Sequence, residues 1–435
     1  MQPPLPDPPM SCPVCGREIG TTCRCVPSGF WQRPGVARAV ADLDLVRVVQ
    51  MLRAQVDITQ ERIALITGLG PSTVSRLEAG KPVHDLAKAR RALHRLGALV
   101  PHEPTSAGAE PPETAALRRL VAVYDLPDDG PVRPMPALRT AVSEVVGHRL
   151  NSRYAQVTSR LPLLIPELTR ALERQQGARR YEIARLLVQC YRAADAVADK
   201  NGAYDLSARI IQVMLWASEQ AEDPCTRAAA QYVRAEVFFA SSGFEDGRRM
   251  LERAAGGVQP GDSVRAAAAY GALHMRAAVL AARAGAGGRA RDHLAETHAV
   301  ARRVDEAVYD GTAFGPGSVR IHEVTLELGL DSPERALAAA AGWVPSLSIP
   351  AERRSHFHID LARAHLLTDR RESALDALEE AHRIAPEHVR LHPDVRAVLA
   401  ALARAEGSGS ESARTFAHAA GFLAVTAGEG GPEVR

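Results

Sequence analysis

The sequence predicts an all-α fold. Hydrophobic residues make up 46% of the 435 residues, but aromatic residues make up only 4%, a composition typical of packed helices rather than of β-sandwiches or barrels. Apolar residues recur at spacings of three and four along most of the chain, whereas strand-like alternation is scarce. Breaks in this pattern divide the chain into five segments, residues 1–33, 34–100, 101–113, 114–406 and 407–435.

The first segment is a Pro-rich tail with four of the six cysteines, Cys12, Cys15, Cys23 and Cys25. A Cys-x-x-Cys-Gly turn lets two thiolates face one ion, and a Cys-x-Cys pair can complete a tetrahedral shell. We predict a small zinc knuckle holding one structural ion, because four ligands leave no open position for catalysis. The alternatives are a redox switch built on the same thiols and cysteines without a ligand role.

Aromatic residues separate the knuckle from the next segment. Phe30 and Trp31 stand with Arg33 just before a helix predicted from about Val36 to Gln55. We expect Trp31 to close the contact between the knuckle and this helix. Exposed aromatic residues beside basic ones can also bind nucleic acid, which is the alternative.

Residues 58–80 predict two short helices that cross closely. Thr59 is suited to an N-cap, and Ala64 is small enough to let the second helix approach. Gly68, four residues later, can adopt the left-handed backbone that ends a helix. The turn between the helices is therefore specified by residue type.

The second of these helices is predicted to begin at Gly70 or Pro71, since proline is suited to a first helical position. Val74 and Leu77 are three residues apart and should face inward. The residues left outside are Ser72, Thr73, Ser75 and Arg76. A helix with one buried and one polar face is predicted.

This arrangement resembles the phage-repressor-like (xenobiotic-response-element type) helix-turn-helix family, over roughly residues 44–99. Its signature positions are occupied here by Gln60, Ala64, Gly68, Val74 and Leu77. The resemblance implies a five-helix DNA-binding domain over residues 34–100 that binds double-stranded DNA.

The resemblance also implies which residues meet DNA. Gln60 would hold a phosphate or a base edge, with Ser72 and Thr73 in or beside the major groove. Arg76 would contact either a guanine or a phosphate. The predicted DNA-binding residues are Gln60, Ser72, Thr73, Ser75, Arg76 and Lys81.

Two further observations qualify this surface. Gly70 and Pro71 stand where many relatives carry a polar cap and a long side chain, so direct base readout is expected to be sparse. Residues 34–100 contain ten Lys or Arg against six Asp or Glu, enough for a few phosphate contacts. The following helix is predicted to carry a cluster of Lys88, Arg90, Arg91 and Arg95.

Residues 101–113 are rich in proline and form a predicted linker, after which residues 114–406 show helix after helix. The clearest unit starts near Ser355, with small residues such as Ala362 and Ala374 where two helices of a hairpin approach, and ends at Pro386. This unit resembles a tetratricopeptide repeat with His365 in place of the usual aromatic residue.

Weaker copies of this unit precede it. The small residues that begin each second helix are at positions 247, 290, 336 and 374, so the units are longer than the typical ~34 residues. Further hairpins are expected around residues 141–173 and 181–219. We predict a tetratricopeptide-like α-solenoid for sensing and dimerisation, followed by a terminal helix and flexible tail at 407–435.

The concave face of such a solenoid can bind a ligand or a partner. The candidate ligand-binding residues are polar or aromatic positions on first helices, Arg192, Tyr232, His274, Arg320 and His358. The alternative for each is an ordinary groove or surface residue. His356 and His358 are two residues apart on a helix and diverge, so they are not expected to share a metal ion.

Composition limits the class of function. The formal net charge is only +2, which disfavours a general polyanion binder. The sequence has no apolar run long enough to span a bilayer and no apparent signal peptide, so a cytoplasmic protein, associated with the nucleoid when bound to DNA, is expected. It also lacks a phosphate-binding loop, a nucleophile elbow and a paired-histidine zinc motif, so we do not expect an enzyme.

The combination is similar to bacterial regulators whose repeat domain senses a signal, including the peptide-pheromone-sensing regulators of Gram-positive bacteria. The Cys-rich tail, the Phe-Trp element and only three lysines among 53 basic residues favour an actinobacterial type. The resemblance implies a homodimeric, sequence-specific transcriptional regulator controlled by a peptide, small-molecule or protein partner. The alternatives are an interaction scaffold with weak DNA binding and a metal- or redox-responsive regulator using the cysteines.

Overall fold

The computed structural model describes residues 12–16, 25–31, 33–41, 43–81, 83, 86–98, 112–404 and 408–422. These residues are almost entirely helical, with one short hairpin, which confirms the predicted all-α class. Chain contacts divide the molecule into two compact units. The first is Met1–Ala109 with Arg396–Glu406, and the second is Glu110–Val395 with Gly407–Arg435.

The first unit contains a single turn of helix and then the five helices expected for the DNA-binding domain. Their bounds are α1 Ser28–Trp31, α2 Pro34–Ala41, α3 Leu45–Gln55, α4 Gln60–Thr67, α5 Pro71–Glu78 and α6 Leu86–Arg95.

The prediction of a single helix from about Val36 to Gln55 is wrong, because the structure has two helices there, α2 and α3. The chain turns between α2 and α3, where Leu43 has a φ of 52°. The Asp44 carboxylate then accepts a 3.0 Å hydrogen bond from the backbone N–H of Arg47 and caps a new helix. Aspartate is among the strongest N-cap residues, so this position carried the signal for the break.

One hydrophobic core runs through the described residues of the first unit. Its centre is formed by fully buried side chains of α3, α4 and α5, including Leu52, Ile63 and Leu77. Cys12 and Phe30, from before the five-helix domain, belong to the same core. The cysteine segment and the helix-turn-helix therefore fold around shared apolar contacts.

The remaining helices follow in chain order. They are α7 Pro112–Ala122, α8 Met135–Leu150, α9 Tyr154–Arg174, α10 Gly177–Lys200, α11 Tyr204–Glu219, α12 Pro224–Ser241, α13 Phe244–Ala255, α14 Val264–Arg283, α15 Gly287–Ala301, α16 Pro316–Gly329, α17 Pro333–Ala340, α18 Ala351–Leu367, α19 Arg371–Ile384, α20 Pro386–Leu391, α21 Pro393–Arg404 and α22 Ser408–Ala419. No helix in the described ranges is both long enough and apolar enough to cross a membrane.

In the second unit, neighbouring helices pack as hairpins, from α8 with α9 to α18 with α19. The first helices of these pairs form a row, α8, α10, α12, α14, α16 and α18, in which each packs against the next. Helix α18 also packs against α8, so the row closes on itself. The hairpins expected around 141–173 and 181–219 are present as α8–α9 and α10–α11.

The four small residues predicted to begin second helices are buried at the helix contacts. Ala290, Ala336 and Ala374 have no exposed surface. A Cβ atom added to Gly247 would lie 2.7 Å from the Cβ of Phe238, which is closer than two non-bonded carbon atoms can approach. Helix pairing therefore depends on residue size at these positions. The tetratricopeptide assignment itself stays a prediction.

A β-hairpin interrupts the helices of the second unit. Strands β1 Ala307–Tyr309 and β2 Thr312–Phe314 pair antiparallel around the two-residue turn Asp310-Gly311. Both turn residues have positive φ, 47° and 77°, and Asp-Gly is a strong hairpin signal. Phe314 is fully buried and occupies the space beside Gly271, where an added Cβ would lie 2.1 Å from the Phe314 ring.

Candidate DNA-binding surface and cysteine centre

The turn between α4 and α5 has the geometry that its sequence predicts. The Thr59 side chain accepts a 3.3 Å hydrogen bond from the backbone N–H of Arg62 and caps α4. Gly68 ends the helix with a φ of 68°, and its N–H donates to the Ala64 carbonyl at 2.8 Å. The residue types at these positions thus fix where α4 begins and ends.

Helix α5 has one buried and one exposed face. Val74 and Leu77 are fully buried, as predicted, while Ser72 and Ser75 are exposed and Arg76 is half-buried. The prediction that Thr73 lies outside is wrong. Thr73 is fully buried because positions 73 and 77, one helical turn apart, share the inward face.

Gln60 is held by a neighbouring helix. Its side-chain amide donates to the Glu78 carboxylate at the end of α5, and Arg53 of α3 donates to the same group at 3.0 Å. These hydrogen bonds hold the pKa of Glu78 below its usual value, with Gln60 contributing most. Gln50 also donates to the Glu78 carbonyl at 3.2 Å. Glu78 therefore ties α3, α4 and α5 together.

Basic side chains border the exposed face of α5. Lys81 is exposed, and its backbone N–H donates to the Arg76 carbonyl at 2.8 Å. Arg95 is exposed on α6 and reaches the Thr67 carbonyl at 3.4 Å. The other members of the predicted basic cluster, Lys88, Arg90 and Arg91, are half-buried on α6.

Comparison with known families matches residues 49–97 to the family described as helix-turn-helix. Residues 49–97 form a phage-repressor-like helix-turn-helix. This match includes α4, α5 and α6, and it confirms the resemblance and the family's association with double-stranded DNA. A DNA-binding transcriptional regulator is the class of protein that such a domain supports.

Two other comparisons add little beyond the helix-turn-helix. None of the curated proteins matches the chain. Among solved structures, BtubC (BKLC) from P. vanneervenii is similar at 16% identity, over 52% of this chain and 90% of that one, with a TM-score of 0.34. A likeness this small leaves the helical region to be argued from its own residues.

Three of the four predicted metal-ligating cysteines lie together beside the helix-turn-helix core. The sulfur atoms of Cys12, Cys15 and Cys25 are all within 4.8 Å of one another. The loop turns tightly after Cys15, because Gly16 has a φ of 67° and its N–H donates to the Cys12 carbonyl at 2.8 Å. Cys23 lies outside the described residues.

The cysteine centre has the chemistry of a cation site. Burial and the neighbouring Cys12 raise the pKa of Cys25 to about 12, because a second thiolate so close would be repelled. A bound divalent cation would reverse this effect by neutralising the thiolates. The described cysteines form no disulfide. Cys12, Cys15 and Cys25 could therefore hold a metal ion together.

Phe30 and Trp31 stand edge to face, with ring centroids 5.0 Å apart. Phe30 is buried, and Trp31 is half-buried against the same core as Cys12. Trp31 thus has the position predicted for it, between the cysteine segment and the helices that follow.

Two of the candidate ligand-binding residues face the β-hairpin of the second unit. Arg192 is buried and donates to the Asp310 carbonyl at 2.9 Å and to the Thr312 hydroxyl at 2.8 Å. The Tyr232 hydroxyl accepts a 2.8 Å hydrogen bond from Arg353. The side chains of Tyr232 and the hairpin line one shallow cleft with alanines of α12 and α14.

The other three candidates lie apart from that cleft. His274 is half-buried, with its Nδ1 3.1 Å from Nδ1 of His293. Arg320 stacks 5.0 Å above the Trp343 ring and donates to two backbone carbonyls of the α17 region. His358 is half-buried on α18. The structure therefore does not bring all five into one site.

Proposed function

We propose that the chain is a sequence-specific DNA-binding transcriptional regulator that acts in the cytoplasm and carries out no enzymatic reaction. The observation that supports this most is helix α5, which lies within the family match and keeps Ser72, Ser75 and Arg76 at its surface. Serine hydroxyls can pair with any base edge, and an arginine fork can pair with guanine.

The start of α5 adds a means of holding the DNA backbone. Gly70 provides no side-chain cap, and Pro71 occupies the first helical turn. Pro71 has no N–H and the Thr73 N–H donates to the Gly70 carbonyl at 2.9 Å, so the N–H of Ser72 and the partial positive charge of the helix start are what would favour phosphate. Lys81 and Arg95 would add charge on either side, so phosphate contacts supply much of the affinity.

The test is DNA binding by the full chain, measured by fluorescence anisotropy with fragments selected from genomic DNA. Arg76→Ala should weaken binding by roughly 1–3 kcal/mol, or about 5- to 150-fold, if Arg76 pairs with a base. A loss that is uniform across sequences, with the salt slope smaller by about one, would assign Arg76 to a phosphate.

The matched control is Arg119→Ala, which removes an equally charged, exposed side chain from α7. The control should bind as the wild type does. An Arg76→Ala variant with unchanged affinity and unchanged salt slope would contradict the proposed role of α5.

The proposal includes a homodimer. Two helix-turn-helix heads bound to successive major grooves would require half-sites about 34 Å apart, or a multiple of that distance. Light scattering should give twice the mass of the chain, and selected sites should contain an inverted repeat. A monomer bound to a single half-site would contradict this part.

The proposal also includes one zinc ion at the cysteine centre, bound by Cys12, Cys15 and Cys25, with Cys23 as the fourth ligand. Zinc prefers tetrahedral thiolate sites, and four ligands would make the ion structural. The mutual closeness of the three described sulfur atoms supports this reading.

For control of DNA binding, we propose a peptide, small-molecule or protein partner that binds the helical repeats and places an anionic group near Arg192 and Arg149, beside the hairpin. Burial and the neighbouring Arg149 lower the pKa of Arg192 to about 9, so its charge is poorly compensated there. Arg149 is also buried and donates to the Gly311 carbonyl at 2.6 Å. Arg149 has the Glu352 carboxylate only at 3.8 Å, and Arg192 contacts neutral acceptors, so a carboxylate or phosphate would compensate both charges better.

A thermal-shift panel of small carboxylates and phosphates tests this ligand class. An anion that stabilises the wild-type chain should fail to stabilise Arg192→Met. In the wild type, the same anion should expose the backbone amides of residues 307–314 to hydrogen exchange. A panel in which no anion stabilises the wild type would contradict the proposal.

A further inference from the structure

A group of three histidines lies within the second unit, away from the cysteine centre. His356 is on α18, His388 is on α20, and His392 follows the last residue of α20. One ring nitrogen from each lies within 4.8 Å of the others. The ring centroids are 5.2 to 6.1 Å apart. Helix packing therefore brings His356 to two imidazoles that are more than thirty residues further along the sequence.

The histidines differ in their access to solvent. His388 and His392 are buried, with 1% and 6% of their surface exposed, whereas the His356 side chain is 27% exposed. His356 is therefore the most accessible of the three side chains, and an ion would reach the group past His356.

Hydrogen bonds around the rings leave nitrogen lone pairs available. The Ser355 hydroxyl donates to the Ala381 carbonyl at 3.1 Å, so it can only accept from Nδ1 of His388, which lies 3.1 Å away. The lone pair of His388 is then on Nε2. Nε2 of His356 lies 3.5 Å from an Asp360 carboxylate oxygen, which leaves its lone pair on Nδ1.

Asp360 is a well-fixed carboxylate. It is fully buried, accepts a 2.6 Å hydrogen bond from the Thr325 hydroxyl, and pairs with Arg363 at 3.0 Å. Metal-binding histidines commonly direct their second ring nitrogen to such a carboxylate, which fixes the ring and makes it a stronger ligand. His356 and Asp360 have this relationship.

The third ring has a weaker contact. Nδ1 of His392 accepts a 3.3 Å hydrogen bond from the Asp394 backbone N–H. Binding a metal through Nδ1 would require His392 to give up this long contact. Binding through Nε2 would require the neutral ring to carry its proton on Nδ1 instead.

Charged groups of both signs act on the rings. Lys200, Arg353 and Arg363 are the cationic groups, and Glu352, Asp360 and Asp394 are the carboxylates. The carboxylates would oppose the repulsion that the cationic groups exert on a divalent ion.

We propose that His356, His388 and His392 bind one divalent transition-metal ion, with zinc as the best fit to three imidazole ligands. Three protein ligands leave a fourth tetrahedral position for water or a small anion. The ion joins α18 to the end of α20 and fixes the chain where α21 begins. This site shares no residue with the cysteine centre or with the predicted DNA-binding surface.

Metal stoichiometry of the full chain tests the proposal. The metal-free protein, prepared with a chelator, is titrated with Zn²⁺ and Co²⁺, and bound metal is counted by elemental analysis. The His388→Gln and His392→Gln variants should each bind one ion fewer than the wild type. The matched control, His298→Gln, alters a partly exposed histidine on α15 and should bind as many ions as the wild type.

The Co²⁺ spectrum separates the two centres. Cobalt at the cysteine centre gives a thiolate charge-transfer band, while cobalt bound only by imidazoles does not. The histidine variants should therefore keep the thiolate band. They should lose only the bound cobalt that does not contribute to this band. Asp360→Asn, which weakens the support of His356, should reduce the affinity of this second site by roughly 10- to 100-fold.

Destabilised variants remain informative because each is compared with its own metal-free form. Zinc should raise the melting temperature of the control. It should raise the melting temperature of each histidine variant by a smaller amount. Equal metal counts in wild type and His388→Gln, or no thiolate-free cobalt signal in the wild type, would overturn the proposal.

Discussion

Gly68→Ala should loosen the crossing of α4 and α5 without unfolding the rest of the chain. Gly68 has a φ of 68°, and an L-residue pays about 1–2 kcal/mol for this backbone region. The new methyl group would also lie 2.1 Å from Nη1 of Arg95. That flexible group would move and give up its 3.4 Å bond to the Thr67 carbonyl, which costs about 0.5 kcal/mol.

The two costs give about 2 kcal/mol in total. This free energy should shift the equilibrium between the closed and the open helix pair toward the open form by about 30-fold. Hydrogen exchange of the full chain measures this directly at the backbone amides of α4 and α5. The matched control is Gly35→Ala in α2, where φ is not in the left-handed region and the nearest atom would be Met51 Sδ at 3.8 Å. Exchange in α4 and α5 should stay unchanged in this control.

An unchanged exchange rate in Gly68→Ala would refute the argument that a left-handed glycine fixes this turn. Equal acceleration in both variants would indicate a general loss of stability, which the geometry at Gly35 does not predict. DNA affinity measured on the same samples would show whether the helix crossing also sets the position of α5.

Three other perturbations follow from the structure. Cys12→Ser should remove one zinc ion per chain and lower the melting temperature of the first unit, by elemental analysis and calorimetry; an unchanged metal content would be inconsistent with the cysteine centre. The Glu78 pKa is lowered on folding, so its stabilisation is present above the unfolded-state pKa and disappears as pH falls through the folded-state value. Amide exchange in α4 and α5 should show that acid loss in wild type but not in Glu78→Gln. Gly247→Ala should destabilise by about 1–3 kcal/mol in thermal unfolding, because the methyl group meets Phe238 at 2.7 Å; stabilisation, the usual result in a helix, would contradict the packing.

Local signals in the sequence were enough to predict the helix-turn-helix. Thr59, Gly68 and Pro71 act through the backbone of their own segment, so their effects do not depend on the rest of the fold. Thr73 shows where this fails. A small polar residue beside the inward stripe can be buried or exposed, and only the packing of α5 against its neighbours decides which.

Long-range pairing accounts for what the sequence did not indicate. The sequence around Glu78 does not indicate its partners, because the fold brings Arg53 and Gln60 to it from two other helices. The histidine group likewise depends on the contact of α18 with α20. The Asp310-Gly311 turn is an exception, since its hairpin signal is local and is present in the sequence within a mainly helical pattern.

The affinity ratio of the full chain for a selected site and a scrambled site of equal length tests the central claim most directly. Both affinities are measured at physiological salt, because salt changes the non-specific term steeply. Sequence-specific regulators typically bind their sites at least ~10³-fold more tightly than other DNA. We predict a ratio of this order, reduced in Arg76→Ala if Arg76 reads a base. A ratio near one would contradict a function as a sequence-specific regulator.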